Sequence, residues 1–311
     1  MKSIEANQAG APNDISDKIS SAIMDHVSNS SLDHPILHLP TIFGINFSVT
    51  KHVMMLWVTA VVVFSISYFA TRRYRKEEYP VPTGFTNAFE TVVDFIRNQV
   101  VRPNIGAEFS RFWAPLILTL FFFILTANTI GLIPIFEFIG GIARFVYNIS
   151  PNDDHHIVNR LLHGGATATG NFNVTAGLAT VTFFGIIVAG SLKHGFLGHW
   201  KNLAPPGQPF LVYIILIPIE IIAMFVKPFA LTMRLAANMT GGHIAILSIM
   251  SFIFIFGDMF SPTAGIAVGA LVSVPLNVAI SGLEIIVILI QAYVFTLLTA
   301  IFIGMSIHPH H

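Results

Sequence analysis

One long apolar stretch, roughly Pro209 to Gly257, contains a permanent positive charge at Arg234. A guanidinium keeps its proton in a protein, and an arginine at the centre of a bilayer costs several kcal/mol on insertion scales. Such a residue is tolerated only where it faces protein, water or an opposite charge. The stretch therefore predicts a membrane-embedded helix whose arginine takes part in ion handling.

The composition identifies the broad class of protein. Only 10% of the 311 residues are Asp, Glu, Lys or Arg, and 54% are hydrophobic. A soluble domain contains about 25% charged residues, so this chain cannot cover a water-facing surface and is predicted to be an integral membrane protein. The sequence has no cysteine, which excludes disulfides, thiolate metal sites and thiol nucleophiles. Residues 1–50 contain no apolar run long enough for a signal-peptide core, so we expect the N-terminus to be retained.

The apolar runs predict an all-α membrane domain over residues 49–307, after a polar extracytoplasmic segment (1–48) and before a short tail (308–311). An upright crossing needs about 20 apolar residues. The predicted elements are span 1 (53–71), an interfacial amphipathic helix (84–102), span 2 (112–136), an external loop (137–172), span 3 (174–192) and two long helices (209–257 and 264–307). The fold class is thus five membrane-crossing helices plus one helix at the membrane surface.

Basic residues predict the orientation of the chain. The cluster Arg72-Arg73-Tyr74-Arg75-Lys76 directly follows span 1, and Lys193 and Lys201 follow span 3. Cytoplasmic loops carry the excess of Lys and Arg, whereas the predicted external loop contains only Arg144 and Arg160. We therefore expect the N-terminus outside and the C-terminus in the cytoplasm.

The two long helices exceed one upright crossing. A helix over 209–257 would be about 70 Å long, against a hydrocarbon core of about 30 Å. Only Gly241-Gly242 offers a polar turn for a hairpin, and a hairpin there would place the C-terminus outside. We therefore expect each stretch to be one continuous, strongly tilted helix.

Each long helix contains a row of polar residues on one face. In the first, Glu220, Lys227 and Arg234 are seven residues apart and Asn238 follows by four; in the second, the spacing of seven joins Asn277, Glu284 and Gln291. Residues at such spacing share a helix face. Because neither row can face lipid, the two helices could face a partner together.

Each polar residue also has a simpler interpretation. Lys227 could extend its charge to the interface, Glu220 could be a neutral structural carboxyl, and His243 could be a hydrogen-bonded core histidine. Arg234 could form a buried ion pair with Glu220 or Glu284, although Glu220 is about 20 Å away along the same helix. Because Glu284 is available on the next helix, we favour a proton relay that includes His243.

Two motifs resemble one known family. Lys227-Pro228 followed by Met233-Arg234-Leu235-x-Ala237-Asn238-Met239-x-x-Gly242-His243 resembles the signature of subunit a of F-type ATP synthases, and Ile290-Gln291-Ala292-Tyr293-Val294-Phe295-x-x-Leu298 resembles its final-helix motif. The first half is similar in outline, through the basic cluster, the Val81-Pro82 turn and Ala127-Asn128-x-x-Gly131-Leu132-Ile133-Pro134. The resemblance covers about residues 40–306.

The resemblance implies roles for polar residues of the two long helices. Arg234 would be the essential arginine that faces the rotor ring, Asn238 and Gln291 would support it, Glu220 would line the cytoplasmic half-channel, and His243 and Glu284 would line the external half-channel. Some bacterial members have an acid where this chain has Gly131, so an acidic role does not carry over to that position.

The resemblance also implies partners and a mechanism. The partners would be a ring of c subunits, peripheral-stalk b subunits and, through the whole complex, the catalytic head, in a bacterial inner membrane or alternatively a mitochondrial one. A proton would enter from outside, bind a ring carboxylate, and leave toward the cytoplasm where Arg234 favours the ionised form. We expect no cofactor, metal or nucleic acid, and no catalysis by the chain alone, because it lacks a GxxxxGK[ST] phosphate loop.

Two other classes of membrane protein remain as alternatives. A secondary ion transporter or channel also places charges inside the membrane, but it would function without a ring. A haem or metal protein needs paired intramembrane histidines or an HExxH motif, and the sequence has no HExxH motif. Whether the ion is H⁺ or Na⁺ is left open by the residues of this chain.

Overall fold

The computed structural model describes residues 48–75, 83–133, 167–201 and 209–308 continuously, with short pieces of the segments between them. Most of the predicted polar segment 1–48, most of the external loop 137–172 and the end of the tail lie outside the described residues. The described part of the N-terminal segment includes two short antiparallel strands, β1 (Thr41–Ile42) and β2 (Ile45–Asn46).

Helices make up nearly all of the remaining described chain. They are α1 (Lys51–Thr71), α2 (Phe85–Phe95), α3 (Arg102–Ile105), α4 (Ala107–Leu132), α5 (Phe172–His194), α6 (Phe196–Lys201), α7 (Phe210–Met259), α8 (Pro262–Val268) and α9 (Val274–Ile307). Two π-helical segments, Ile96–Val101 and Gly269–Ser273, join α2 to α3 and α8 to α9.

Five helical segments of the described chain are long and apolar enough to cross a membrane. They are Lys51–Thr71, Ala107–Leu132, Phe172–His194, Leu211–Met259 and Pro262–Ile307. This confirms the predicted fold class of an all-α protein with five membrane-crossing helices.

Helix ends follow local polar chemistry as well as hydropathy. The helix of span 2 begins at Ala107 rather than near 112, and its first turn, in which Ser110 Oγ donates to the carbonyl of Ala107 at 2.9 Å, is polar. The helix of span 3 begins at Phe172, where the side chain of Asn171 accepts the backbone N–H of Asn173 at 2.8 Å. Such N-caps satisfy a backbone donor that the first turn leaves open.

The first long helix, α7, is continuous through Gly241-Gly242, as the sequence predicts. It also contains Pro218 and Pro228, each of which removes one backbone hydrogen bond. One turn after the second proline, Thr232 Oγ1 donates to the carbonyl of Pro228 at 3.0 Å. At 1.5 Å per residue α7 is about 75 Å long. The tilt of this helix in a bilayer stays a prediction.

The second long helix differs from the uniform helix expected over 264–307. It begins at Pro262, where Ser261 Oγ accepts the backbone N–H of Ala264 at 3.2 Å. The π-helical segment Gly269–Ser273 then interrupts the α-helical hydrogen-bond pattern. π-Helical segments of this kind are often found at functional sites.

The chain divides into two compact units. Unit 1 contains residues 1–55, 129–170 and 237–287, and unit 2 contains residues 56–128, 171–236 and 288–311. The main apolar core lies in unit 2, where α4, α5, the first half of α7 and the second half of α9 pack together with the segment after α2. Residues at the centre of this core are fully buried: Ile96, Val100, Ile105, Ile117, Ile124 and Ile303.

The predicted interfacial helix packs partly against unit 2 itself. Phe89 stacks on Phe122 of α4 with ring centroids 4.8 Å apart, and Ile96 and Val100 are completely buried. At the other end of its apolar face, Phe85 is 61% exposed. The location of this helix at the membrane surface stays a prediction.

Candidate functional site

Arg234 lies on the exposed side of α7. Leu231, Leu235 and Met239, on an adjacent side of the helix, are only 2%, 1% and 1% exposed. Arg234 and Asn238, one turn apart, are both exposed. The predicted arginine therefore points away from the chain that contains it.

Small residues surround Arg234 on its face of α7. Ala230, Ala237 and Gly241 lie four residues before, three after and seven after the arginine, and all three are exposed. Small side chains at such spacing allow another helix to approach closely in a membrane. The exposed face thus combines one cation with a surface that a neighbouring helix can reach.

The other two members of the polar row on α7 are half-buried. Glu220 and Lys227 each retain only intermediate exposure. The ammonium nitrogen of Lys227 lies 5.6 Å from the ring centroid of Phe302, on α9. The lysine therefore has an aromatic partner within the protein. The simpler interpretation, in which Lys227 only extends its charge to the interface, does not require such a partner.

The polar row of α9 lies inside the chain. Asn277, Glu284 and Gln291 are 8%, 4% and 8% exposed. The expectation that both rows could face a partner is therefore wrong for α9. The spacing of seven identifies residues on a common face, but it does not determine whether that face meets a partner or the protein's own helices.

Several buried polar atoms of α9 and the π-helical segment before it lack hydrogen bonds. Among the described residues, both carboxyl oxygens of Glu284, both amide atoms of Asn277 and the hydroxyl of Ser273 have no partner. An unsatisfied buried polar group costs about 1–3 kcal/mol. Buried water usually satisfies such groups, so this row is suited to a hydrated path.

Glu284 contacts the backbone of α7 at Gly242. A Cβ atom built on Gly242 would lie 2.5 Å from Oε1 and 3.0 Å from Cδ of Glu284. Only glycine allows the carboxyl to come this close. The contact places Glu284 beside the residue that immediately precedes His243, so two predicted site residues, His243 and Glu284, lie in one region of unit 1.

His243 binds the described end of the external loop. Its Nε2 lies 2.5 Å from Oγ1 of Thr167, and Thr167 is 2% exposed. One turn earlier on α7, Thr240 Oγ1 donates to the carbonyl of Gly170 at 3.4 Å. Two hydrogen bonds therefore connect this end of the loop to α7.

A cluster of histidines lies in unit 2, at the ends of α5 and α9. His194 Nε2 is 3.0 Å from the carbonyl of Ile307, and His308 Nε2 is 3.3 Å from the carbonyl of Ile105. Burial, and to a lesser extent the neighbouring charge of His194, lowers the pKa of His199. This cluster therefore favours neutral histidine at position 199.

Sequence reasoning missed Thr167, Gly242 and Ser273 as members of the site. The sequence pattern places Thr167 only within the external loop, and it marks Gly242 as a possible turn and as part of the family signature, without indicating its contact with Glu284. The small, polar run Thr167-Ala168-Thr169-Gly170 before span 3 is the one signal that could have indicated a packed loop end.

Comparison with known proteins identifies the family. The model of the ATP synthase A chain family matches residues 53–304. This chain belongs to the ATP synthase A chain family. The matched segment includes every predicted site residue from Glu220 to Gln291, and it confirms the resemblance to subunit a.

Curated relatives align with most of the length of this chain. It is 41% identical over 299 residues to ATP synthase subunit a 2 of Chlorobium luteolum, covering 93% of this chain and 76% of that protein. Identity to ATP synthase subunit a of Chloroherpeton thalassium is 41% over 281 residues, covering 89% and 72%. Identity to ATP synthase subunit a of Myxococcus xanthus is 37% over 267 residues, covering 86% and 75%.

Proposed function

We propose that this chain is the proton-translocating stator subunit of a rotary ATP synthase. In this proposal it forms two offset half-channels, and Arg234 separates them opposite a rotating ring of carboxylate-bearing subunits. Family membership supports the stator function. The geometry of α7 and α9 supports the roles of individual residues.

The observation that supports this proposal most strongly is the exposure of Arg234 on a helix apolar enough to cross a membrane. An arginine that faced lipid there would cost about 2.5–3.5 kcal/mol or more. A carboxylate on a partner helix offsets part of that cost, and the small residues around Arg234 leave room for the partner to approach. A ring of c subunits that presents one carboxylate per helix fits this surface.

Arg234 has two consequences for a proton on such a ring. Its positive charge favours the ionised form of a ring carboxyl that comes close, and so promotes release of the proton. Because a guanidinium does not lose its own proton, Arg234 cannot pass protons directly from one half-channel to the other. Asn238, one turn further along α7, and Gln291 support the arginine in this proposal.

The external half-channel would contain Glu284 and His243. Two observations support this assignment. Ser273, Asn277 and Glu284 form a buried polar row without hydrogen-bond partners among the described residues, which is suited to water. In addition, Glu284 contacts Gly242. A histidine and a carboxyl together can pass protons near neutral pH. Glu220, half-buried and fourteen residues before Arg234, would line the cytoplasmic half-channel.

The remaining partners and the orientation belong to the same proposal. The subunit would also contact peripheral-stalk b subunits and act on the catalytic head through the complex. The relatives described above are bacterial proteins, which favours a bacterial inner membrane over a mitochondrial one. The basic cluster after α1 favours an N-terminus outside and a C-terminus in the cytoplasm, with α7 and α9 strongly tilted.

Substitution of Arg234 tests the proposal. Arg234→Ala should abolish proton-driven ATP synthesis in membrane vesicles while the complex still assembles. Arg234→Lys should fail as well, since a desolvated lysine can lose its proton. Arg111→Ala is a matched control, because Arg111 is also exposed but lies before the apolar part of α4. Normal synthesis with Arg234→Ala would contradict the proposal, and ion transport by the purified chain alone would favour a transporter or channel.

A further inference from the structure

The space beside Gly131 on α4 is filled by a residue from the loop. A Cβ atom built on Gly131 would overlap the Oγ1, Cγ2 and Cβ atoms of Thr167. The overlap involves the whole threonine side chain rather than one flexible end, so rotation about χ1 does not relieve it. Any side chain at position 131 would therefore force Thr167 away from its present place.

Thr167 in this place binds the imidazole of His243. The Oγ1 to Nε2 distance is 2.5 Å, and the threonine is almost completely buried. The bond between Thr240 and Gly170 fixes the same loop end one helical turn away. Gly131, Thr167, Thr240 and His243 all belong to unit 1.

We propose that Thr167 is a positioning residue that fixes His243 in the external proton relay, and that Gly131 provides the space this requires. The inference rests on the proposed function, because it assumes that His243 passes protons. It adds a residue from the loop between spans 2 and 3 to a relay otherwise built from α7 and α9.

A threonine hydroxyl suits a histidine that gains and loses a proton. The hydroxyl can donate a hydrogen bond to the unprotonated Nε2, and after rotation of its O–H it can accept one from the Nε2–H of the imidazolium. The ring therefore keeps one orientation throughout a protonation cycle. Loss of the hydroxyl would remove a hydrogen bond that restrains rotation of the imidazole about χ2.

The first test measures the hydrogen bond directly. The purified complex is treated with diethyl pyrocarbonate, and the modification rate of His243 is measured by peptide mass spectrometry, with His194 as the internal reference. Thr167→Val removes the hydroxyl at nearly constant volume, and Thr167→Ser retains it. We expect His243 to react several-fold faster in Thr167→Val and in Gly131→Ala, and at the wild-type rate in Thr167→Ser. The double variant Gly131→Ala with Thr167→Val should react no faster than either single variant.

The second test connects the bond to function. ATP-driven proton pumping by inverted vesicles should fall several-fold in Thr167→Val and in Gly131→Ala, and should be restored in Thr167→Ser. An unchanged His243 modification rate in Thr167→Val would overturn the inference, whatever the pumping rate. Normal pumping by His243→Ala would overturn it as well, because no relay would then depend on the histidine. The Arg234→Ala variant reports on the proposed function separately, so failure of the two ideas is distinguishable.

Discussion

Replacing Gly242 by alanine should impair proton entry while leaving α7 folded. The new Cβ atom would lie 2.5 Å from Oε1 of Glu284, whereas ordinary contact begins at 3.4 Å. The carboxyl must therefore move by about 1 Å, and a misplacement of that size can reduce a rate by about 100-fold. Alanine gains up to about 1 kcal/mol of helix propensity over glycine, and overpacking costs about 1–3 kcal/mol. The net loss of stability, at most about 3 kcal/mol on these values, permits assembly.

The assay is ATP-driven proton pumping in inverted vesicles, with rates normalised to the amount of assembled complex. Gly177→Ala provides the matched control, since Gly177 is an exposed helical glycine with no atom within 4 Å of the place where the methyl carbon of alanine would lie. We expect the control to pump at the wild-type rate and Gly242→Ala to pump far more slowly. Wild-type pumping by Gly242→Ala would refute the argument that the close approach of Glu284 to α7 matters for proton transfer.

Two further predictions concern the ends of the proton path and the histidine cluster at the ends of α5 and α9. A cysteine introduced near Glu220 (Ala223→Cys) should react with impermeant thiol reagents from the cytoplasmic side, and one near His243 (Ile246→Cys) from the external side. Reaction of both cysteines from the same side would contradict two separate half-channels. The native chain has no cysteine to interfere. At pH values above the ordinary histidine pKa, the neutral form of His199 contributes to the stability of the fold. Because burial lowers the pKa of His199 in the folded protein, this contribution is lost as pH falls through the lowered pKa. His199→Gln should therefore reduce the loss of thermal stability on acidification, and an unchanged pH dependence of Tm would count against this role.

The sequence was sufficient for the helices because hydropathy and helix geometry determine them. The continuity of α7 followed from the lack of a polar turn other than Gly241-Gly242, and the number of crossing helices followed from apolar run lengths. The common face of Glu220, Lys227 and Arg234 followed from their spacing alone. These inferences depend on residues near one another in the chain.

The environment of the site residues was less predictable, because it depends on contacts between distant segments. Spacing could not show that Glu284 is buried while Arg234 is exposed. Likewise, the role of Gly131 becomes visible only when Thr167, thirty-six residues later, occupies the space beside it. The π-helical segment before α9 has no distinctive composition that would separate it from an ordinary helical turn.

In the proposed external half-channel, the position of Glu284 would make its protonation sensitive to voltage. It is the only charged residue in the segment Pro262–Ile307 and lies near the midpoint of that segment. A charge that crosses 100 mV changes in free energy by about 2.3 kcal/mol, and one pH unit corresponds to about 1.4 kcal/mol. For a proton that traverses half of the field, 100 mV is thus equivalent to about 0.8 pH unit at this carboxyl. An electrical gradient would therefore load the residue as effectively as acidification of the external medium.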